Sequence, residues 1–224
     1  MIISYKKILL AVIAADITVI SMALIVGEAS KHFDEAGFVT CFSFCQLLII
    51  AALSREVFVV RKGEARARTW KTPFTIWSIM AIAFIFLSID EIAMVHEYAD
   101  VLIHNIFAIQ EVGLTDRIDD ILVGCYGLLG LMGFYIYREE MKKYREAFPL
   151  FVAGFILMFV MVGLDILTNK KDILRLFISN LSVLNSFHYW LSIIEDMFKI
   201  IAEGIFIGAF YRCLEIARRI SKVS

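Results

Sequence analysis

Residues 74–98 read FTIWSIMAIAFIFLSIDEIAMVHEY. Positions 74–89 carry no charge, and then Asp90, Glu91, His96 and Glu97 fall within eight positions. A run of about 20 apolar residues crosses the roughly 30 Å hydrocarbon core of a bilayer. A charge at the centre of such a helix costs about 2.5–3.5 kcal/mol on insertion scales. The stretch therefore predicts a membrane-spanning helix whose acids have partners on other helices. That reading fixes the class of the whole chain.

The rest of the chain agrees. Of its 224 residues, 60% are hydrophobic and the mean hydropathy is +0.79, whereas soluble domains are about 45–50% apolar. The apolar blocks predict an all-α, polytopic helical bundle of six spans: about 8–27, 38–60, 74–98, 118–137, 148–168 and 185–211. The block at 8–27 follows Lys6 and Lys7 like a signal peptide, but it is too long for an h-region and carries Asp16. Pro73 and Pro149 open spans three and five, where a missing N–H costs nothing, and Thr72 is the expected cap of span three. Residues 172–184 are too short and polar to cross and predict an interfacial amphipathic helix. Two prolines and no low-complexity run imply one domain over residues 1–224.

Basic residues set the expected orientation. Lys6, Lys7, Arg61, Lys62, Arg66, Arg68, Lys71, Arg138, Lys142, Lys143, Arg145, Arg212, Arg218, Arg219 and Lys222 fall on one side. Only Lys31, Arg117, Lys170, Lys171 and Arg175 fall on the other. Both termini are expected in the cytoplasm, in a prokaryotic inner membrane. The net charge of −1 offers no field for nucleic acid. The four cysteines are scattered over the spans and imply no disulfide framework; Cys41 and Cys45, four apart, are a weak pair of soft ligands.

On this topology the acids converge. Asp90 and Glu91 lie in the outer third of span three, with His96 and Glu97 at its rim. Asp119 and Asp120 open span four, and Asp165 ends span five. Span six carries His188, Glu195, Asp196, Lys199 and Glu203, and at 100° per residue His188, Glu195, Lys199 and Glu203 fall within about 80° of arc. Lys199 is four residues from Glu195 and from Glu203, which permits pairing along the helix. His96, Asp100 and His104 are spaced i, i+4, i+8, a ligand spacing if the helix continues. Asp119, Asp120, Asp165 and Glu97 also suit plain interfacial solvation, and the charges of span six also suit a self-neutralising structural network. The small-residue patterns Gly124, Gly127, Gly130, Gly133 and Gly204, Gly208 read as close helix packing.

LSIDEIAMVHE, residues 87–97, resembles an LSxDExxxxHE pattern of an uncharacterised family of prokaryotic multi-spanning membrane proteins. IEDMFKIIAEG, residues 194–204, is similar to that family's late acidic motif, from which it departs at Lys199 and in its longer spacing to Glu203. The two motifs cover about a tenth of the chain. The resemblance implies that Asp90, Glu91, His96, Glu97, Glu195, Asp196 and Glu203 serve one site, and it implies no substrate. A fainter echo between Ser88–Glu97 and Ser192–Glu203 suggests inverted halves.

Three functions compete. The first is a metal site of Asp90, Glu91, His96, Glu97, His188, Glu195, Asp196 and Glu203, holding divalent iron, manganese or zinc and conceivably catalytic; Asp100, His104, Asp119, Asp120 and Asp165 are weaker candidates. The second is a proton- or cation-coupled transporter with Glu195, Lys199 and Glu203 as relay. The third is an accessory subunit, or a homo-oligomer, whose acids pair with a partner in the bilayer. A rhodopsin-like protein would need seven spans.

Overall fold

A computed structural model describes residues 4–33, 37–64, 72–110, 115 and 117–222 of the chain. The described residues fold into helices, with no strand among them. In order these are α1 (Tyr5–Ile25), α2 (Ala29–Phe33), α3 (Phe38–Glu64), α4 (Thr75–Ala93), α5 (Val95–Phe107) and α6 (Ile118–Ile136). Then follow α7 (Arg138–Met141), a 3₁₀ turn (Lys142–Ala147), α8 (Phe148–Thr168), α9 (Asp172–Arg175) and α10 (Leu181–Ser221).

Among the described residues five segments are long and apolar enough to cross a membrane: Tyr5–Ile25, Ala29–Gly63, Thr75–Ala93, Ile118–Ile136 and Arg138–Thr168. Large apolar side chains project outward from them; Leu10 is 72% exposed and Ile25 81%. Such faces are stable against lipid and would be a liability in water. The chain is accordingly read as an integral membrane protein. At 41 residues α10 is about 60 Å long; it is not among the five because it carries more charged residues, Glu195, Asp196, Lys199 and Glu203 among them.

Boundaries moved where local chemistry intervened. Span three does not run unbroken to residue 98: Met94 adopts a left-handed conformation, φ 50°, ψ 44°, ending α4 and starting α5. The interfacial helix expected over 172–184 shrinks to α9, four residues long; residues 181–184 are instead the first turn of α10. Asn180 caps that turn, its Oδ1 accepting from the N–H groups of Ser182 and Val183 at 3.0 and 3.2 Å. Thr72 is not a side-chain cap for α4; its hydroxyl meets that of Thr75 at 3.2 Å. Pro149 does stand in the first turn of α8. Arg66, Arg68 and Lys71, three of the residues used for orientation, lie outside the described residues.

α10 is the central post, packed against α1, α3 and α8. α6 leans on α8 through its glycines: a Cβ on Gly127 would overlap the Met158 methyl, and one on Gly130 would touch Phe155 at 3.5 Å. Gly208 brings α10 against α1, where a Cβ would come within 2.8 Å of Leu9. In lipid, helices gain little from burying apolar surface against each other, so close packing at small residues holds them together.

One end of the bundle is closed by rings and ion pairs. Trp77, Tyr144 and Phe210 are fully buried, with Trp77 edge-on to both others at 4.7 and 6.1 Å. Below them, Arg61 of α3 donates two hydrogen bonds to Glu140 of α7, at 2.8 and 3.2 Å. Lys143 adds a third at 2.6 Å. Arg212 pairs with Glu146 and Glu215 and lies over the Tyr5 ring. The Tyr5 N–H donates to Glu215, so the start of α1 and the last turns of α10 lie at this same, basic end.

Candidate functional site

At the opposite, acid-rich end the Met94 elbow places Asp90 under the first turn of α5. Asp90 Oδ1 accepts from the His96 N–H at 2.8 Å, and His96 Nδ1 lies 3.1 Å from Oδ2. A helix start leaves N–H groups without partners, and a carboxylate there satisfies one and opposes the positive end of the helix dipole. Asp90 thus holds the elbow that an αL residue without a Gly would otherwise disfavour. His96 faces Asp90, while His104 Nδ1 lies 3.0 Å from Asp100 Oδ1 within α5. The three-ligand spacing expected for His96, Asp100 and His104 therefore resolves into two separate pairs.

Across the cavity from this elbow stands the middle of α10. Lys199 Nζ lies 2.9 Å from Glu91 Oε1 of α4 and 3.2 Å from Asp196 Oδ1. The pairing anticipated with Glu195 and Glu203 is replaced by a bridge between helices, because Glu91 turns from α4 toward the ammonium. Glu195 instead accepts from the Thr168 hydroxyl of α8 at 2.7 Å. His188 Nε2 donates to the Thr168 carbonyl at 2.7 Å, so that nitrogen is engaged. Asp120 of α6 and Asp165 of α8 meet carboxyl to carboxyl, with Asn169 donating to Asp120 at 3.3 Å. Asp119 turns back to cap the Asp120 N–H at 2.9 Å.

Deeper, Glu203 Oε1 accepts from the Ser43 hydroxyl at 2.7 Å, and Asp16 of α1 accepts from Gln46 Nε2 at 2.7 Å. Both carboxyls are buried, Asp16 completely. Gly204 makes this possible: a Cβ there would overlap Oδ2 of Asp16. Three oxygens of this group, Asp16 Oδ2, Gln46 Oε1 and Glu203 Oε2, are buried without a hydrogen-bond partner. Unpaired buried acceptors are costly, about 1–3 kcal/mol each, so such a concentration marks a place where a donor or cation belongs. Sequence reasoning missed Ser43 and Gln46. Their signal was a polar stripe, Thr40, Ser43 and Gln46, recurring every three residues along an apolar span.

The cavity between α4, α6, α8 and α10 has a volume of about 1050 Å³. Toward the acid-rich end its lining includes Asp90, Glu91, Glu97, Asp165, Glu195, Asp196 and Glu203, with His96 and His188; the only lysines among the lining residues are Lys171 and Lys199. Toward the basic end it is walled by Phe84, Phe151, Phe155, Met158, Phe206 and Phe210 and stops at the aromatic cluster. Asp100, His104, Asp119 and Asp120 do not line it. The eight residues expected as a metal site all line the cavity. Yet among the described residues no group of three or more His, Cys, Asp or Glu is arranged to hold a metal ion. The reason is visible in the pairings: Asp90 is committed to His96, Glu91 and Asp196 to Lys199, Glu195 to Thr168 and Glu203 to Ser43.

No curated protein and no solved structure matches the chain in the comparisons made. A family model does match residues 8–214, nearly the whole length, and so covers the elbow, the cavity and the deep carboxyls alike. The chain belongs to the family described as "Domain of unknown function (DUF8692)".

Proposed function

We propose that this protein is a proton-coupled transporter, with six spans and both termini, at the bundle's basic end, in the cytoplasm. The observation that carries the reading is the deep group of Asp16, Gln46 and Glu203, whose buried acceptor oxygens lack donors. A proton on either carboxyl neutralises it and turns one of these oxygens from an acceptor into a donor. Protons reach it along a ladder of ionisable groups: Asp120 and Asp165, then Glu195, then the Lys199 bridge, then Glu203 and Asp16. The cavity is lined by carboxyls toward the acid-rich end and by aromatic rings toward the basic end, where rings and ion pairs close the bundle; a one-sided site of this kind suits one of the two states of alternating access. The basic residues of the sealed end support a cytoplasmic placement.

Lys199 has a role in this scheme other than carrying the proton itself. Its ammonium is bridged to Glu91 and Asp196, so it ties α4 to α10 beside the deep carboxyls and balances part of their charge.

The test is proton flux in proteoliposomes with an imposed pH gradient. Wild-type protein is expected to dissipate the gradient, and Glu203→Gln and Asp16→Asn to lose at least tenfold in rate. Flux unchanged in both variants would falsify the proposal. Elemental analysis of the purified protein is the companion measurement. Stoichiometric iron, manganese or zinc would assign the cavity acids to a metal instead.

A further inference from the structure

The cavity is far larger than a proton or an inorganic ion needs, and its two halves differ in chemistry. A volume of about 1050 Å³ is at the upper end of the range for drug-sized ligands. From Glu195 to Phe210 along α10 the lining runs about 22 Å at 1.5 Å per residue. The acid-rich half sets seven carboxyl groups against two ammonium groups. One of those ammonium groups, Lys199, is already bridged to Glu91 and Asp196. The other half is aromatic, and its rings pack edge to face, as Phe155 does on Phe206 at 5.2 Å, which leaves ring faces as well as edges along the wall. Glu203 sits where the halves meet. It is 7% exposed, lines the cavity, and has one oxygen without a partner.

An occupant must therefore satisfy three conditions. It must be cationic, because an anion would be repelled by the carboxyl excess. It must be apolar over much of its surface, because a hydrophilic cation would lose its hydration shell against phenylalanine and methionine without replacement. It must be organic and large, because no set of ligands closes around a small ion. Aromatic faces add to the attraction for such a cation.

We infer that the cavity binds lipophilic organic cations, a delocalised or quaternary cation with aromatic or alkyl substituents, and that these are the cargo exchanged for protons. The cargo role rests on the transporter reading above; the binding site does not. A bound cation near Glu203 and Glu195 lowers the affinity of those carboxyls for protons, and a bound proton lowers affinity for the cation. That competition is the coupling.

The experiment uses a matched pair of ions of the same shape and opposite charge, tetraphenylphosphonium and tetraphenylborate. Binding to the full-length protein in detergent is measured by equilibrium dialysis at pH 6 and pH 8. Tetraphenylphosphonium is expected to bind at one site per chain, at least tenfold tighter at pH 8, with tetraphenylborate binding at least a hundredfold weaker. Glu195→Gln and Glu203→Gln are each expected to weaken phosphonium binding and flatten its pH dependence. Equal binding of the two ions would mean a merely greasy cavity and overturn the inference, as would failure of both to bind. Because the wild-type comparison of two ions needs no variant, misfolding of a mutant cannot rescue or sink it. Phosphonium binding without proton flux would leave the site standing and remove the coupling. Proton flux without phosphonium binding would overturn this inference and leave the transporter reading intact.

Discussion

The two ends of this bundle handle buried charge in opposite ways. At the basic end the buried carboxylate is matched: Glu140, 1% exposed, accepts from Arg61 twice, from Lys143 and from Tyr144. At the acid-rich end carboxyls outnumber bases along the cavity, and three deep oxygens have no donor among the described residues. The first pattern holds a structure still. The second is the pattern on which the proton-exchange proposal rests. The contrast teaches that a buried charge is informative by what it lacks, since both ends bury ionisable groups.

Five substitutions, one of them a control, press on that contrast. The largest effect is expected from Glu140→Ala, which strands Arg61 in a buried site. Removing one partner of a buried pair costs about 3–5 kcal/mol, to be read as a loss of thermal stability in detergent. A stability equal to wild type would show that the basic end is not the lock described here. Next is Gly204→Ala, whose added methyl drives into the Asp16 carboxyl. Overpacking of this kind costs about 1–3 kcal/mol, and proton flux is expected to fall with it. The control is Gly163→Ala, where a Cβ meets nothing within 4 Å; it is expected to be neutral or to gain up to about 1 kcal/mol from helix propensity.

Thr168→Val should cost about 1 kcal/mol, the worth of one hydrogen bond, because it removes the donor to Glu195. Its more telling readout is proton flux, expected to fall as Glu195 loses the hydroxyl that positions it. Unchanged flux would exclude Glu195 from the ladder. The smallest effect belongs to Asp172, outside the spans. Its burial raises its proton affinity slightly, but the Arg117 guanidinium and the Ile173 N–H hold its carboxyl below the ordinary value of 3.8. A carboxyl with a depressed value stabilises the fold above its unfolded value and ceases to as the pH falls through the folded one. Asp172→Asn is therefore expected to melt slightly below wild type at pH 7, with the gap closing below pH 3.8.

Much of the site could be read before any coordinates. Asp90, Glu91, Glu195, Asp196 and Glu203 drew attention because charge in an apolar run must be explained, and all five line one cavity. Their partners could not be read. That Lys199 would bridge to Glu91 rather than to Glu195 or Glu203 depended on how α4 and α10 face each other. Asp90 looked like a site residue and proved to support an elbow, because the left-handed turn at Met94 leaves no trace in local composition. Ser43 and Gln46 carried no charge and so raised no alarm, although they bond the two deepest acids.

The sequence alone determined that this chain is a helical membrane protein with acids committed to its interior, because hydropathy is a property of composition and an unsolvated charge is costly wherever it lies. The tertiary structure alone decided what those acids do. Whether a carboxylate is matched or left with an empty lone pair depends on residues far away along the chain, 160 positions apart for Ser43 and Glu203. Only the packing of helix on helix brings such pairs to within a hydrogen bond, or leaves an oxygen without one.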